Sequence, residues 1–134
     1  MLHDALDHLA VAALEAQPAE LSPVEALRRA VREVYAGLDA EELAAERERQ
    51  TLIRSTPELW TGMLNDVTGA LGMFCEAIAR RTGRKADDIA VVTLAGAVFG
   101  AGIAVWLSRP AEEVDDFLEL FDAALAQLEA GLAL

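Results

Sequence analysis

Apolar residues recur every three or four positions along most of the chain, which is the spacing of one face of an α-helix. Six such stretches follow one another, separated by short breaks at proline, glycine or capping residues. Nowhere do apolar and polar residues alternate over several positions, as they do in a half-buried strand. The pattern predicts an all-α bundle of six helices with short connections, forming a single domain over residues 1–134.

Polar residues that suit helix N-caps precede three of the predicted helices. Ser22, Asp39 and Thr56 stand at the starts of the second, third and fourth helices. Glu25 and Glu42 follow the first two of these caps by three residues, which is the spacing of a capping box. The third helix is the most polar of the six, so we expect it at the edge of the domain.

The stretch IAVVTLAGAVFGAGIAVWLS, residues 89–108, carries no charge and is about as long as a membrane span of roughly 20 residues. Its Gly96-x-x-x-Gly100 spacing permits close helix contact in a membrane or in water. The neighbouring helices have apolar faces that need burial, and a helix that is apolar all round can supply it. We therefore expect a core helix rather than a membrane span.

A small bundle cannot cover such a helix on every side with one chain, so a homodimer interface built from the fifth and sixth helices is the leading hypothesis. The candidate interface residues are Val92, Gly96, Gly100, Ile103, Val114, Phe117, Phe121 and Leu125.

Glycines interrupt the predicted fourth and fifth helices at six positions: Gly62, Gly69, Gly72, Gly96, Gly100 and Gly102. A glycine inside a helix costs ~1 kcal/mol relative to alanine. Two features can offset that cost: close contact with a neighbouring helix, or space for a ligand.

The charge of the chain excludes one class of partner. With 11 Lys and Arg residues against 23 Asp and Glu residues, the net charge is −12, which repels a phosphate backbone. The single cysteine excludes an internal disulfide framework and fits a reducing compartment. The first residues, MLHDALDHL, do not have the basic start of a signal peptide, so we expect a cytoplasmic protein.

Residues with catalytic or metal-binding chemistry are sparse. His3 and His8 are the only histidines, and one turn of helix does not complete a metal site. Cys75 lies on an apolar stripe, which is typical of a buried structural thiol. Phosphate-binding loops, nucleophile elbows and zinc spacings do not occur. The sequence thus indicates neither an enzyme nor a metal or cofactor site.

A small-molecule pocket between helices is better supported. Large apolar side chains line one face of the glycine-interrupted fourth helix and recur in the fifth, which suits a mostly apolar cavity. The candidate ligand-binding residues are Trp60, Met63, Leu64, Val67, Phe74 and Phe99. The alternative is that these residues simply form the core.

The order of the predicted helices, and the proline, glycine and capping residues that separate them, resemble those of a known family. RERQTLIRSTPELW leads into AIARRTGRKADDIAVVTLAGAVFGAGIAVWLSRP, and the amphipathic EEVDDFLELFDAALAQLEAGL follows. Together they are similar to the C-terminal domain of TetR-family transcriptional regulators of the actinobacterial type. The resemblance implies a small-molecule effector pocket among the earlier helices and dimerisation through the last two helices, which would form a four-helix bundle with those of the partner.

That resemblance also implies an N-terminal helix-turn-helix that residues 1–134 lack, so contact with DNA would be made only through that absent module. The expected function is effector sensing and dimerisation for a TetR-like repressor. An autonomous helical dimerisation module without a ligand is the alternative, and a small protein anchored in a membrane through residues 89–108 is a weaker one.

Overall fold

Six helices make up the regular structure of a computed structural model, which describes residues 2–108 and 117–132, with side chains from residue 7 onward. The helices are α1 (Leu2–Glu15), α2 (Pro23–Ala36), α3 (Ala40–Ser55), α4 (Pro57–Thr82), α5 (Ile89–Leu107) and α6 (Phe117–Glu129). Every regular element in the described ranges is helical, which confirms the predicted all-α fold with six helices. Of the candidate interface residues, Val114 lies outside the described residues.

Two of the three predicted N-caps form through their side chains. Ser22 Oγ accepts a hydrogen bond from the Glu25 amide at 3.2 Å. Asp39 and Glu42 complete the predicted capping box at the start of α3. Thr56 occupies the predicted N-cap position of α4, but its side chain makes no capping bond within the described chain. Its backbone carbonyl accepts the Leu59 amide at 3.0 Å instead, because α4 starts in a tight turn directly after α3.

The main core joins α1, α2, α4, α5 and α6. Its buried members are Leu14, Val24, Ala26, Leu27, Ala30, Phe74, Ala77, Val98 and Leu125. Three of them are alanines with at most 1% of their surface exposed, which lets the helix backbones approach closely. Cys75 belongs to a second cluster between α4 and α5, together with Ile78, Val91 and Ala95. Its burial fits the structural thiol expected from the sequence.

Ion pairs attach α6 to α2. Arg28 Nε lies 3.0 Å from Asp122 Oδ1, and Arg32 Nη2 lies 2.7 Å from Asp122 Oδ2. Hydrogen bonds from these guanidinium groups lower the pKa of the Asp122 carboxyl to about 2, and the bond from Arg28 contributes most. At the far end of the same contact, the Ser22 hydroxyl donates to Glu129 at 2.9 Å. The two helices are therefore held together by charge as well as by the core.

Within residues 2–108 and 117–132, only one face of α5 is covered by other helices. Val91, Ala95, Val98 and Trp106 are buried, whereas Ile89 is 77% and Val92 is 41% exposed. Among the described residues, α5 is the one helix long and apolar enough to cross a membrane, by length and composition alone. Its neighbours in a single chain therefore do not surround it.

Candidate functional site

Two adjoining cavities lie between the helices, with walls supplied by α2 to α6 and, at Asp7, by α1. The first, of about 230 Å³, is called the apolar cavity. Its walls are mostly hydrocarbon and aromatic, and three of the lining side chains, Asp7, Arg49 and Gln50, are polar. The other lining residues are Leu27, Val31, Met63, Val67, Phe74, Val98, Phe99, Gly102, Ile103, Trp106, Phe117 and Phe121. Buried apolar surface of this kind binds the hydrocarbon part of a ligand without specifying its direction.

The second cavity, of about 320 Å³, is called the mixed cavity. It is lined by Arg32, Tyr35, Ala36, Leu43, Glu46, Arg47, Gln50, Trp106, Phe117 and Leu118. Gln50, Trp106 and Phe117 belong to the walls of both cavities, so these three side chains mark the junction between them. Small-molecule pockets commonly measure ~300–1,000 Å³. The mixed cavity reaches that range without the volume of the apolar cavity.

A pair of tilted tryptophan rings lies at the junction. The ring centroids of Trp60 and Trp106 are 5.0 Å apart, and the Arg54 guanidinium carbon lies 5.1 Å from the Trp106 ring. Arg54 also donates to the Trp106 backbone carbonyl. The Trp106 side chain is 7% exposed, and its Nε1–H has no hydrogen-bond partner in the described structure. An unpaired buried donor of this kind costs ~1–3 kcal/mol, so it calls for a physical explanation.

The polar wall of the mixed cavity is built on α3. Glu46 is 5% exposed, and its carboxylate accepts hydrogen bonds from Arg49 at 2.7 and 3.0 Å and from Gln50 at 2.8 Å. Burial, followed by the charge of Glu46, raises the pKa of the Tyr35 hydroxyl to about 12. The phenol is therefore uncharged at neutral pH and keeps its O–H as a donor.

Four of the six predicted ligand-binding residues line the apolar cavity: Met63, Val67, Phe74 and Phe99. Trp60 packs against Trp106 with its ring tilted by 53°, and it supports the wall without belonging to it. Leu64 is 52% exposed and lies on the outside of α4, so the structure does not bring it to either cavity. The apolar stripe of α4 thus indicated where the cavity lies, but it did not distinguish the residues that line the cavity from those beside it.

The predicted interface residues fall into separate places. Val92, Gly96 and Gly100 lie on the open face of α5. Ile103, Phe117 and Phe121 line the apolar cavity instead. Leu125 is 1% exposed in the core of the single chain, so a partner chain would not reach it. The inner stripe of α6 packs against its own chain because Arg28 and Arg32 fix the orientation of that helix.

The polar side chains of α3 and the ring of Trp106 were not among the predicted site residues. Glu46, Arg49 and Gln50 stand at the i, i+3 and i+4 spacing that is typical of exposed helix pairs, so the sequence did not indicate that Glu46 is buried. Trp106 lies near the end of the uncharged stretch, and its indole N–H is the one signal that could have singled it out.

The described residues, 2–108 and 117–132, contain no group of His, Cys, Asp or Glu side chains that could hold a metal ion. The chain matches the family model described as the MftR C-terminal domain, a TetR C-terminal type, over residues 21–133. The chain is a TetR-family C-terminal domain. Such domains belong to transcriptional regulators and not to an enzyme family. No match was found among curated proteins.

The match begins at α2 and extends through α6, so it includes every helix that lines the mixed cavity. In this TetR-family domain, the wall of that cavity combines a neutralised polar cluster with aromatic rings. A pocket of this composition can bind a small molecule by apolar contact and a few directed hydrogen bonds.

Proposed function

We propose that this TetR-family domain senses a small, largely apolar effector and dimerises, and thereby controls DNA binding by a helix-turn-helix module outside residues 1–134. Ligand binding would favour one of two dimer arrangements and so change the spacing of two attached DNA-binding modules. The net charge of −12 supports a sensing role, because this domain by itself would repel DNA. The same function suits a cytoplasmic protein.

The pair of cavities carries the proposed ligand binding. Within one domain of 134 residues, the apolar and mixed cavities share a wall of Gln50, Trp106 and Phe117. Unfilled apolar space forfeits dispersion contacts and destabilises the fold. A ligand that fills it would recover those contacts, and its binding would raise the stability of the folded state.

The effector half of the proposal is tested with N-phenyl-1-naphthylamine, a neutral apolar dye whose fluorescence rises in apolar surroundings. We expect saturable binding and a higher melting temperature in the presence of the dye. Val67→Phe, which fills the apolar cavity, should abolish both effects. Leu64→Phe, the same kind of enlargement on the exposed side of α4, should leave them intact.

Equal dye binding by the Val67→Phe variant, checked by circular dichroism to be folded, would show that the dye binds elsewhere. A wild-type protein that neither binds nor is stabilised by the dye would contradict the effector proposal. If such a protein were still a dimer, the alternative of an autonomous dimerisation module would be favoured.

The open face of α5 supports the proposed homodimer. Gly96 and Gly100 are exposed, and a Cβ added at either position would meet nothing within 4 Å among the described residues. Close contact inside one chain therefore does not offset the cost of these glycines. A second copy packed on this face would, and it would also cover Ile89 and Val92.

Sedimentation in detergent-free buffer at micromolar concentration tests the homodimer. The wild type should sediment as a dimer, and Gly100→Leu should shift it to monomer by blocking close approach. Gly69→Leu is the matched control, because Gly69 is equally open but lies on α4. A monomeric wild type, or a Gly100→Leu variant that remains dimeric, would contradict the interface. Partition of the wild type into the membrane fraction would favour a membrane role for α5.

A further inference from the structure

Each charged side chain among the described wall residues of the two cavities already has an interaction partner within the protein. Among the described wall residues, Glu46 is paired with Arg49, and Arg32 is paired with Asp122. Asp7 and Arg47 also have interaction partners. An ionised ligand would have to break one of these pairs or remain buried without a counter-charge, and both are costly. The walls therefore favour an uncharged ligand.

One donor at the junction remains unpaired. Trp106 Nε1–H has no partner in the described structure, and less than 1 Å² of this atom is exposed, so bulk water does not satisfy it either. The ring that carries it belongs to the walls of both cavities. A ligand that offers a hydrogen-bond acceptor beside this ring would remove the cost of the unpaired donor, with a small turn of the indole toward the ligand.

We propose that the ligand is an uncharged, largely apolar molecule with a hydrogen-bond acceptor, and that Trp106 Nε1–H donates to this acceptor where the two cavities meet. This inference rests on the proposed effector binding. The hydrocarbon part of the ligand lies in the apolar cavity, against Val67 and Phe99. Trp106 thus determines which apolar molecules bind, and the surrounding side chains supply most of the affinity.

The remaining groups of the mixed cavity fit the same chemistry. The Tyr35 hydroxyl is protonated at neutral pH, since burial and the nearby Glu46 charge raise its pKa to about 12. The Gln50 amide donates to Glu46 at 2.8 Å and adds no net charge. Neither group provides a counter-ion for an anionic ligand.

Three probes of nearly the same shape test the proposal. These are 2-acetylnaphthalene, which has a carbonyl acceptor; 2-isopropylnaphthalene, which has none; and 2-naphthoate, which is an anion. A cavity of about 150 Å³ holds benzene, so the apolar cavity, at about 230 Å³, suits a bicyclic ring. Affinities are measured by displacement of N-phenyl-1-naphthylamine. One net hydrogen bond should make the ketone bind about tenfold more tightly than either other probe.

Trp106→Phe should remove the preference for the ketone over the hydrocarbon while the hydrocarbon still binds. Trp60→Phe is the matched control, because Trp60 packs against Trp106 without lining either cavity, and it should keep the preference. The indole N–H resonance of Trp106, assigned by its persistence in the Trp60→Phe variant, should move downfield with the ketone and not with the hydrocarbon. This measurement needs no change at Trp106 and holds even if Trp106→Phe does not fold.

The failures of the two proposals are distinguishable. Equal affinity for ketone and hydrocarbon, or an unshifted indole resonance, would overturn the role of Trp106 while effector binding stands. Tightest binding of 2-naphthoate would overturn the uncharged ligand. Dye binding that no probe displaces would also overturn this inference alone. Failure of the dye itself to bind would overturn effector binding and this inference together.

Discussion

The two halves of α4 carry similar apolar stripes and have different surroundings. In residues 70–82, Ala70, Phe74, Cys75, Ala77, Ile78 and Ala79 are buried. In residues 57–69, all of which are described, none is buried. We call these the packed half and the open half of α4. The packed half contacts filled core except at Phe74, which also lines the apolar cavity, whereas Met63 and Val67 of the open half face that cavity without being buried.

This difference shows that helical periodicity identifies an apolar face but does not tell what fills the space opposite it. The packed half meets small and branched side chains of α1, α2 and α5 that leave little room. The open half meets aromatic rings that enclose space, and it also contains Gly62 and Gly69. Each of these glycines costs ~1 kcal/mol relative to alanine. We therefore expect the open half to exchange its amide hydrogens faster than the packed half.

The largest effect should come from removing side chains on the two halves. Ile78→Ala, in the packed half, leaves a void in the cluster around Cys75 and should lower the free energy of unfolding by about 2–5 kcal/mol. Leu64→Ala, at a side chain that is 52% exposed in the open half, should lower it by less than about 1 kcal/mol. Urea denaturation measures both values. Similar losses for the two variants would mean that the halves are packed alike.

A smaller effect should come from the charges that fix α6 beside the packed region. The folded-state pKa of Asp122 is lowered to about 2, so its stabilising effect is full above the unfolded pKa of ~3.9 and is lost as the pH falls toward 2. Asp122→Asn should therefore cost about 1 kcal/mol at pH 7, a value discounted for solvent screening.

The measurement is the difference in unfolding free energy between wild type and Asp122→Asn along a pH series. It should shrink toward zero near the folded-state pKa of Asp122. Asp66→Asn, on the exposed surface of the open half, is the control and should change stability little at any pH. A wild-type advantage that persisted undiminished in acid would show that charge at Asp122 is not its source.

The smallest effect on stability should come from changing the N-cap residues of α2 and α4, and it should differ between these two helices. Ser22→Ala removes an exposed side-chain cap on α2 and should cost about 0.5 kcal/mol. Thr56→Ala, at the start of the open half of α4, should cost close to nothing by comparison, since the Thr56 carbonyl already accepts the Leu59 amide. Thermal melting resolves the difference, and a larger loss for Thr56→Ala would mean that its hydroxyl caps α4 in solution.

Much of the fold could be predicted because helices are specified locally. The proline and capping residues around Pro23 and Asp39 fix helix starts from a few neighbours in sequence. The site was predicted only in part. Met63 and Val67 were found from their stripe, but Glu46 and Gln50 were missed because their spacing is that of an exposed helix surface. They line the mixed cavity together with Tyr35 and Trp106, which are distant in sequence.

By itself, the sequence determined the helices and their order and the apolar stripes along them. These follow from short-range hydrogen bonding and from a period of 3.6 residues. Only the tertiary structure decided which stripes meet core, cavity or open surface. It placed Leu125 in the core, Phe121 beside a cavity, and Gly96 on an uncovered face. The reason is that packing depends on the rotation of each helix against its neighbours, and long-range contacts such as Arg28 with Asp122 fix that rotation.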